Sequence, residues 1–387
     1  MRLSNHWEKG IKAIYLNSML RNMAGAISGI FLPIYVYQWG GLGAVAVMVL
    51  LERGLMAVNS LVLGKLVVKI GYKWSVLVSN LLLALNYFLI ANFSLSYELI
   101  VMVSVVSSLM TPLYWLPRLS IMTVDGDKDE MGVEVGLLQL VEKTSSILGP
   151  LLGGVILSVF GFRDLFILVA LLTVFSGVPI LFIKNHSLRD GVSVKGFWGW
   201  LTDKTNNHLV VSFWGQGWAN LVDAYFWPIY FFLAVSDFTI FGGLSSLTFA
   251  LSTIMVFVAG KLFDVLRRKR GRQDENEYLV STAIVSLIQM IRPMVKSMVG
   301  LFGLDAIFSL VLPFWSIDYD SYLFAAGKRS GRSLVFYTYR EIWYSFSRFV
   351  GGSILFMMFY FGLGNWWVIF GMGALGTLLT MGMQKES

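Results

Sequence analysis

Long apolar stretches recur along the whole chain and are separated by short polar segments. There are twelve such stretches, each of 19 to 28 residues, and about 20 mostly apolar residues cross a bilayer core as a helix. None shows the apolar–polar alternation of a membrane β-barrel. The pattern predicts an all-α polytopic membrane protein with twelve transmembrane helices. The predicted spans are 11–38, 43–69, 73–91, 98–122, 134–160, 164–184, 208–235, 240–264, 278–296, 299–320, 333–360 and 365–383.

Composition agrees with this class. Of the 387 residues, 56% are hydrophobic and 14% are charged, against roughly 25% charged in an ordinary soluble domain. The longest segment between spans is 185–207, so no separate soluble domain is expected. The chain has no cysteine, which excludes a disulfide framework, a cysteine-ligated metal site and a cysteine nucleophile.

The distribution of basic residues predicts the orientation. Alternate loops hold 21 of the 30 lysines and arginines, and cytoplasmic loops carry such an excess. Both termini are therefore expected in the cytoplasm, and the net charge of +7 is mostly this topology signal. The basic run Arg267–Gly271 is interpreted as an orienting loop that attracts anionic lipid rather than nucleic acid. Polar residues such as Arg21 interrupt the first apolar stretch, so it is expected to be a retained span and not a signal peptide.

The chain also repeats itself. FLPIYVY at Phe31–Tyr37 resembles FWPIYFF at Phe226–Phe232, and GGVIL at Gly153–Leu157 resembles GGSIL at Gly351–Leu355. The offsets are 195 and 198 residues. Two pseudo-symmetric bundles of six helices are therefore predicted, 1–184 and 208–387, joined by a cytoplasmic linker at 185–207. Parallel repeats of this kind occur in secondary transporters, with the binding site near the midplane between the halves.

The loop between spans 2 and 3 reads GKLVVKIGYKWSVL at Gly64–Leu77. This spacing of glycines and basic residues resembles the loop signature of the major facilitator superfamily. The loop keeps the glycines and basic residues of that signature, but Val68 replaces its acid. The second half keeps the acid, and Arg267 replaces the second glycine. The matching positions are Gly64, Lys69, Gly71 and Lys73 in the first half, and Gly260 and Asp264 in the second.

Span 5 resembles the glycine and proline pattern of the drug–proton antiporters of that superfamily. The matching positions are Gly136, Gly149, Pro150, Gly153 and Gly154, and Ser145 replaces a further glycine. Glycines allow helices to approach closely in lipid, and a proline favours a bend. The resemblance implies the major facilitator fold, transport by alternating access and proton antiport.

Charged residues inside the predicted spans are the main functional candidates, because each costs about 2.5–3.5 kcal/mol to insert. A set on the cytoplasmic side is predicted to form pairs that either fix the helices or act as a gate between the halves. This set is Arg118, Glu142, Lys143, Asp318, Asp320, Arg340 and Glu341. Deeper candidates are Glu52 and Arg53 in span 2. Asp305 and Arg348 also lie within spans.

Asp223 is the predicted proton-coupling residue, since span 7 carries no basic residue near it. Gln216, Asn220 and Asp223 share one helix face. The repeat places Arg21 opposite this face, as a partner for Asp223 across a cavity or as a fixed ion pair. Trp115 and Trp315 lie beside prolines in spans 4 and 10. They suit an amphipathic or aromatic solute, although ordinary core packing is the alternative.

These observations predict a secondary active transporter of a small organic solute by alternating access, with coupling to protons and export of amphipathic, drug-like compounds. The alternatives are a nutrient symporter or uniporter, and a membrane sensor or scaffold without transport. An enzyme is not expected, since no acid, base and nucleophile converge. No metal, no cofactor and no nucleic-acid partner is expected: the three histidines are far apart, and no phosphate-binding GxxxxGK[ST] motif occurs. We expect a monomer in a prokaryotic cytoplasmic membrane.

Overall fold

The computed structural model describes residues 5–125, 143–144, 146–185, 191–270 and 275–386, and all regular structure within these ranges is helical. Short 3-10 turns at Lys204–Asn206, Arg292–Met294 and Thr380–Glu386 and a π-helical turn at Val222–Phe226 complete it. The helices are α1 (Asn5–Ser28), α2 (Phe31–Asn92), α3 (Tyr97–Asp125), α4 (Gly149–Leu181), α5 (Val194–Thr202), α6 (Asn207–Leu221), α7 (Trp227–Val235), α8 (Phe238–Arg270), α9 (Glu275–Ile291), α10 (Met298–Arg329), α11 (Ser333–Tyr360) and α12 (Trp366–Leu379).

Seven helical stretches among the described residues are long and apolar enough to cross a membrane. One of them, Ala13–Asn92, is 80 residues long and contains nearly all of the first three predicted spans. Gly149–Leu181 likewise joins the end of the predicted fifth span to most of the sixth. The all-helical, multi-pass class is confirmed, whereas the number twelve and the side of the termini stay predictions.

Single glycines reverse the chain inside the long helices. Gly41 has φ 67° and Gly71 has φ 78°, and both are non-helical within α2. Only glycine adopts these positive values without steric cost. Gly71 belongs to the loop motif found in the sequence, so the motif glycine ends one membrane helix and starts the next.

The first membrane helix is interrupted in each half, where the halves are the segments before and after the predicted linker 185–207, and the sequence pattern predicts neither interruption. Helix α1 ends at Ser28 and α2 starts at Phe31, two residues before Pro33. In the second half the π-helical turn Val222–Phe226 lies between α6 and α7, just before Pro228. Proline lacks the amide hydrogen and clashes with the carbonyl four residues back. The two prolines are 195 residues apart and explain both interruptions.

Several helices extend beyond the ends that the apolar pattern predicts. Helix α8 continues to Arg270 and α10 to Arg329, so Arg267–Arg270 is helical where a loop was predicted. The predicted linker contains the short helix α5. Helix α9 instead ends early, at Ile291, since Pro293 follows. Charged residues are good helix formers, so the hydropathy pattern underestimates helices that emerge into water.

The two halves meet along α2 and α11, and along α4 and α8. Between α4 and α8 the backbones are in direct contact: a Cβ added at Gly154 would meet the Phe238 carbonyl, and one added at Gly242 would meet the Pro150 carbonyl. Small residues permit such close approach where lipid supplies no hydrophobic driving force. The span 5 glycine motif therefore packs the halves together.

Different residues join the two halves at the two ends of the helix bundle. At the end that carries the linker, Ser120 and Ser333 hydroxyls from different halves lie 2.8 Å apart. The linker helix α5 packs there against α11, with Phe197 on Tyr339. At the opposite end, the hydroxyls of Ser158 and Thr239 lie 2.8 Å apart. The halves are therefore in contact at both ends.

We predict that Gly242→Ala lowers the midpoint of thermal unfolding, measured in detergent, whereas its neighbour Gly243→Ala does not. The new methyl group at position 242 overlaps the Pro150 carbonyl, while at position 243 the nearest atom of another residue is 3.8 Å away, on Leu151. Overpacking of this kind costs about 1–3 kcal/mol. Equal midpoints for the two variants would show that the α4–α8 contact is looser than described.

Candidate functional site

A polar network joins the two halves near the middle of the membrane-spanning helices. Glu52 and Arg53 lie near the middle of the α2 segment between Gly41 and Gly71, and they form an ion pair of 3.2 Å. Tyr225, in the π-helical turn of the other half, donates to the Glu52 carboxylate at 3.1 Å. The Arg53 guanidinium donates in turn to the Tyr225 hydroxyl. One tyrosine therefore connects α2 to the interrupted helix of the second half.

Arg348 extends this network on α11. It lies about 22 Å along the helix from Ser333 at a rise of about 1.5 Å per residue, so it is near the centre of α11. Its guanidinium donates to Asn220 Oδ1 at 3.3 Å and pairs with Glu341 at 3.5 Å. It also stacks on the Tyr344 ring, 3.8 Å from the centroid. Arg348 is 3% exposed, so these contacts take the place of water around its charge.

A second arginine of α11 continues the network towards the linker end. Arg340 pairs with Glu341 at 3.6 Å and donates to Gln216 Oε1 at 2.8 Å. Tyr319 donates to the same oxygen, also at 2.8 Å. Glu341 therefore lies between two arginines, and three helices of the second half share one hydrogen-bonded chain.

A separate charged cluster surrounds Asp223. Arg292, from the end of α9, pairs with its carboxylate at 2.5 Å, and Gln289 donates to the same oxygen at 2.8 Å. The Arg292 side chain is fully buried, whereas that of Asp223 is 31% exposed. The sequence placed Asp223 opposite Arg21; the structure instead gives it a partner from α9, because the 3-10 turn at Pro293 turns Arg292 into the bundle.

A second carboxylate belongs to this cluster. Asp305 on α10 is buried and accepts a hydrogen bond from the Trp227 indole at 2.9 Å. The Arg292 guanidinium lies over the same Trp227 ring, 3.9 Å from its centroid. Two of its nitrogens, Nε and Nη2, have no hydrogen-bond partner in the described part of the chain. Two acids are thus arranged around one arginine with spare donors.

Arg21 lies in the first half, away from both of these groups. Its guanidinium donates to Asn80 and, at 3.2 Å, to the Ser79 hydroxyl. It also stacks on Tyr114, 3.9 Å from the ring centroid. Arg118 lies over Trp115, 4.9 Å from its centroid. The expected pair between Arg21 and Asp223 is therefore not formed in this structure, since each has partners in its own half.

The remaining sequence candidates are distributed more widely. Trp115 is 38% exposed, whereas Trp315 donates to Thr380 at 3.1 Å and packs on Tyr319, which is a core contact. Lys143 and Asp320 attract each other, and Asp318 is buried. Glu142 lies outside the described residues.

The motif residues mostly serve packing in the structure. Gly64 faces Thr338 of α11, and Lys73 donates to the Leu181 carbonyl at 2.6 Å. Gly149 and Gly153 pack on α1 residues Ala26 and Ile27. Lys69 is exposed, and Gly260 and Asp264 fall within α8. The Asp264 side chain and Gly136 lie outside what the structure describes.

Several members of these clusters were not predicted as site residues: Tyr225, Tyr344, Gln289 and Arg292. Asp305 and Arg348 were recognised only as charges within spans. The sequence signal that could have indicated them is a charged residue deep inside a predicted span, because a buried ion needs polar or aromatic partners nearby. The described residues contain no group of histidines and acids that could hold a metal. The arrangement brings acids, arginines and tyrosines from both sides of the interface together, away from water.

Comparisons with known proteins agree with this geometry. The model of the Major Facilitator Superfamily matches residues 14–330. The structure is similar to the crystal structure of the E. coli fucose:proton symporter, with a TM-score of 0.66 and 15% sequence identity. The match covers 98% of this chain and 99% of that chain, and at this identity it indicates a shared fold. Among curated proteins, none matches this sequence.

We predict that Arg292→Gln destabilises the protein by about 3 kcal/mol, the low end of the range for breaking a buried ion pair. The low end applies because the Asp223 side chain that loses its partner is 31% exposed. Thermal unfolding in detergent measures the effect, and Lys296→Gln at an exposed position is the control. The double variant Arg292→Gln with Asp223→Asn should recover part of the loss; no recovery would mean that the pair contributes little.

Proposed function

The chain belongs to the major facilitator superfamily, and we propose that it moves a small organic solute across a membrane by alternating access, driven by protons. Family and fold support a secondary transporter that spans the membrane several times. In our proposal the halves, approximately 1–184 and 208–387, rock about the central network. The excess of basic residues in alternate loops favours a cytoplasmic linker and cytoplasmic termini.

The observation that carries the proposal is the Glu52–Arg53–Tyr225 connection across the two halves. Arg53 and Tyr225 each have a further polar neighbour, Tyr344 and Arg348 respectively, so partners are available for a second arrangement of this contact. A bistable polar contact between two rigid bodies is the element that a ligand can bias. A solute bound at the network would therefore favour one arrangement of the halves over the other.

Proton coupling is assigned to the Asp223–Asp305–Arg292 cluster. The charged groups around Asp305 among the described residues are Arg292 and Asp223. With both carboxylates ionised the cluster has one negative charge in excess, and with one proton bound it is neutral. Like charges that share a buried site favour a shared proton. We propose that Arg292 pairs with Asp223 while Asp305 holds the proton. When the proton leaves Asp305, the Arg292 guanidinium turns from Asp223 to the ionised Asp305.

The direction of transport follows from the sign of coupling. The glycine motif of α4 favours antiport and therefore export, whereas symport would import the solute. A uniporter would ignore the proton gradient, and a sensor would bind without transport. These alternatives give different signals in a single experiment.

The experiment is a transport assay in proteoliposomes with a trapped pH-sensitive dye. Candidate solutes are added with and without an imposed pH gradient. Antiport and symport change the internal pH in opposite directions, and protein-free liposomes are the background. A solute flux that is independent of the gradient would contradict proton coupling, and binding without flux would contradict transport.

Within this assay, Asp223→Asn and Asp305→Asn are each predicted to abolish transport driven by the pH gradient while exchange of solute across the membrane continues. Each substitution removes one of the two sites between which Arg292 and the proton are exchanged. Asp164→Asn, at an exposed position, is the matched control and should keep gradient-driven transport. Normal gradient-driven transport in both cluster variants would remove the cluster from the coupling mechanism.

A further inference from the structure

Two arginines from opposite halves face each other at the centre of the bundle. Arg53 is on α2 and donates to the Tyr225 hydroxyl, while Arg348 on α11 donates to Asn220, five residues earlier on the same interrupted helix. The two positive charges therefore lie near enough to repel each other. Each lies over an aromatic ring: Arg53 over Tyr225 at 5.7 Å and Arg348 over Tyr344 at 3.8 Å, measured to the ring centroids. Repulsion between like charges is strong where water is excluded. The closed arrangement of the halves therefore brings together two groups that oppose closure.

Each arginine has an acid on its own helix, and among the described residues neither acid forms an ion pair with both Arg53 and Arg348. Glu52 pairs with Arg53 at 3.2 Å, and Glu341 pairs with Arg348 at 3.5 Å. Glu341 also serves Arg340 at 3.6 Å and accepts from Ser345 at 2.9 Å. One carboxylate is thus divided between two guanidiniums, so Arg348 receives only part of a counter-charge.

The other donors of these two arginines reach neutral acceptors or none. Arg348 uses Nη1 on the Asn220 amide and Nε on the Tyr344 carbonyl at 3.4 Å. Arg53 donates to the Tyr225 hydroxyl, and its buried Nε has no hydrogen-bond partner among the described residues. Hydrogen bonds from guanidinium to an anion are roughly twice as strong as those between neutral groups. An anionic acceptor would therefore displace the amide and the hydroxyl.

We propose that the transported solute is an organic anion whose carboxylate or phosphate group binds between Arg53 and Arg348. The group would accept hydrogen bonds from both guanidiniums, in the planar geometry that arginine offers to such oxygens. It would take the places of Tyr225 and Asn220 and cancel the repulsion across the interface. The anion thereby stabilises the closed arrangement, which gives the solute its differential affinity for one state. This inference rests on the proposed transport function and names its substrate class.

The test measures equilibrium binding in detergent, with no gradient and no transport required. The probes are benzoate, phenyl phosphate, benzyl alcohol and benzylamine, which share a ring and differ in the head group. We expect benzoate or phenyl phosphate to raise the midpoint of thermal unfolding in a saturable manner, and the comparison between these two distinguishes carboxylate from phosphate recognition. A rise with benzyl alcohol or benzylamine only, or with none of the four, would overturn the proposal.

Variants locate the binding. Arg53→Gln and Arg348→Gln should each weaken binding of the anionic probe about tenfold to hundredfold, which corresponds to the loss of one hydrogen-bonded charge of about 1.5–3 kcal/mol. Arg163→Gln, exposed at the end of the bundle, is the control and should bind normally. Arg53→Lys and Arg348→Lys keep the charge and should bind better than the glutamine variants, which guards against loss of folding. Unchanged affinity in both glutamine variants would contradict the site.

The two proposals fail in distinguishable ways. Anion binding that depends on both arginines, without flux in proteoliposomes, would leave the site standing and remove transport. Flux of a neutral or cationic solute would leave transport standing and remove the anion site.

Discussion

Charge buried in a low-dielectric interior must be paired or hydrogen-bonded, and this constraint organises the protein. Arginines occur within both halves, and each one that the structure describes as buried or half-buried is held by carboxylates, amides or aromatic rings. Arg292, fully buried, lies over Trp227 and pairs with Asp223, while Arg53 reaches Tyr225 across the interface. Because one partner often lies on another helix, pairing determines how the helices are arranged. In our proposal the central pairs exchange partners between two arrangements of the halves.

The interruptions in the first helix of each half determine where the buried polar side chains meet their partners. Pro33 and Pro228 occupy equivalent places in the two halves, and each follows a break in the helix. In the second half the break is a π-helical turn, a feature that often occurs at functional sites. It contains both Asp223 and Tyr225. One widened turn therefore directs two neighbouring side chains to two different networks, the Arg292 cluster and the central Glu52–Arg53 pair.

The helices and most of the buried charges could be predicted from the sequence, but the residues with which those charges pair could not. The apolar pattern gave the helices, and the repeated FLPIY and FWPIY segments marked both interrupted helices without showing the interruptions. Buried charges such as Glu52 and Arg340 were recognised by depth alone. The partner of Asp223 could not be found, since Arg292 is distant in sequence and enters the bundle only because Pro293 ends α9. The run Arg267–Arg270 appeared to be a loop because hydropathy does not distinguish a charged helix in water from a loop.

Alternating movement of the halves is tested most directly by locking them. The chain has no cysteine, so introduced thiols are the only ones. Ser120→Cys with Ser333→Cys lies at the linker end, and Ser158→Cys with Thr239→Cys at the opposite end; in both pairs the native hydroxyls are 2.8 Å apart. Our account predicts that oxidising either pair stops solute flux in proteoliposomes and that a reductant restores it, while single-cysteine variants are unaffected. Undiminished flux through protein with a complete cross-link at either end would contradict it.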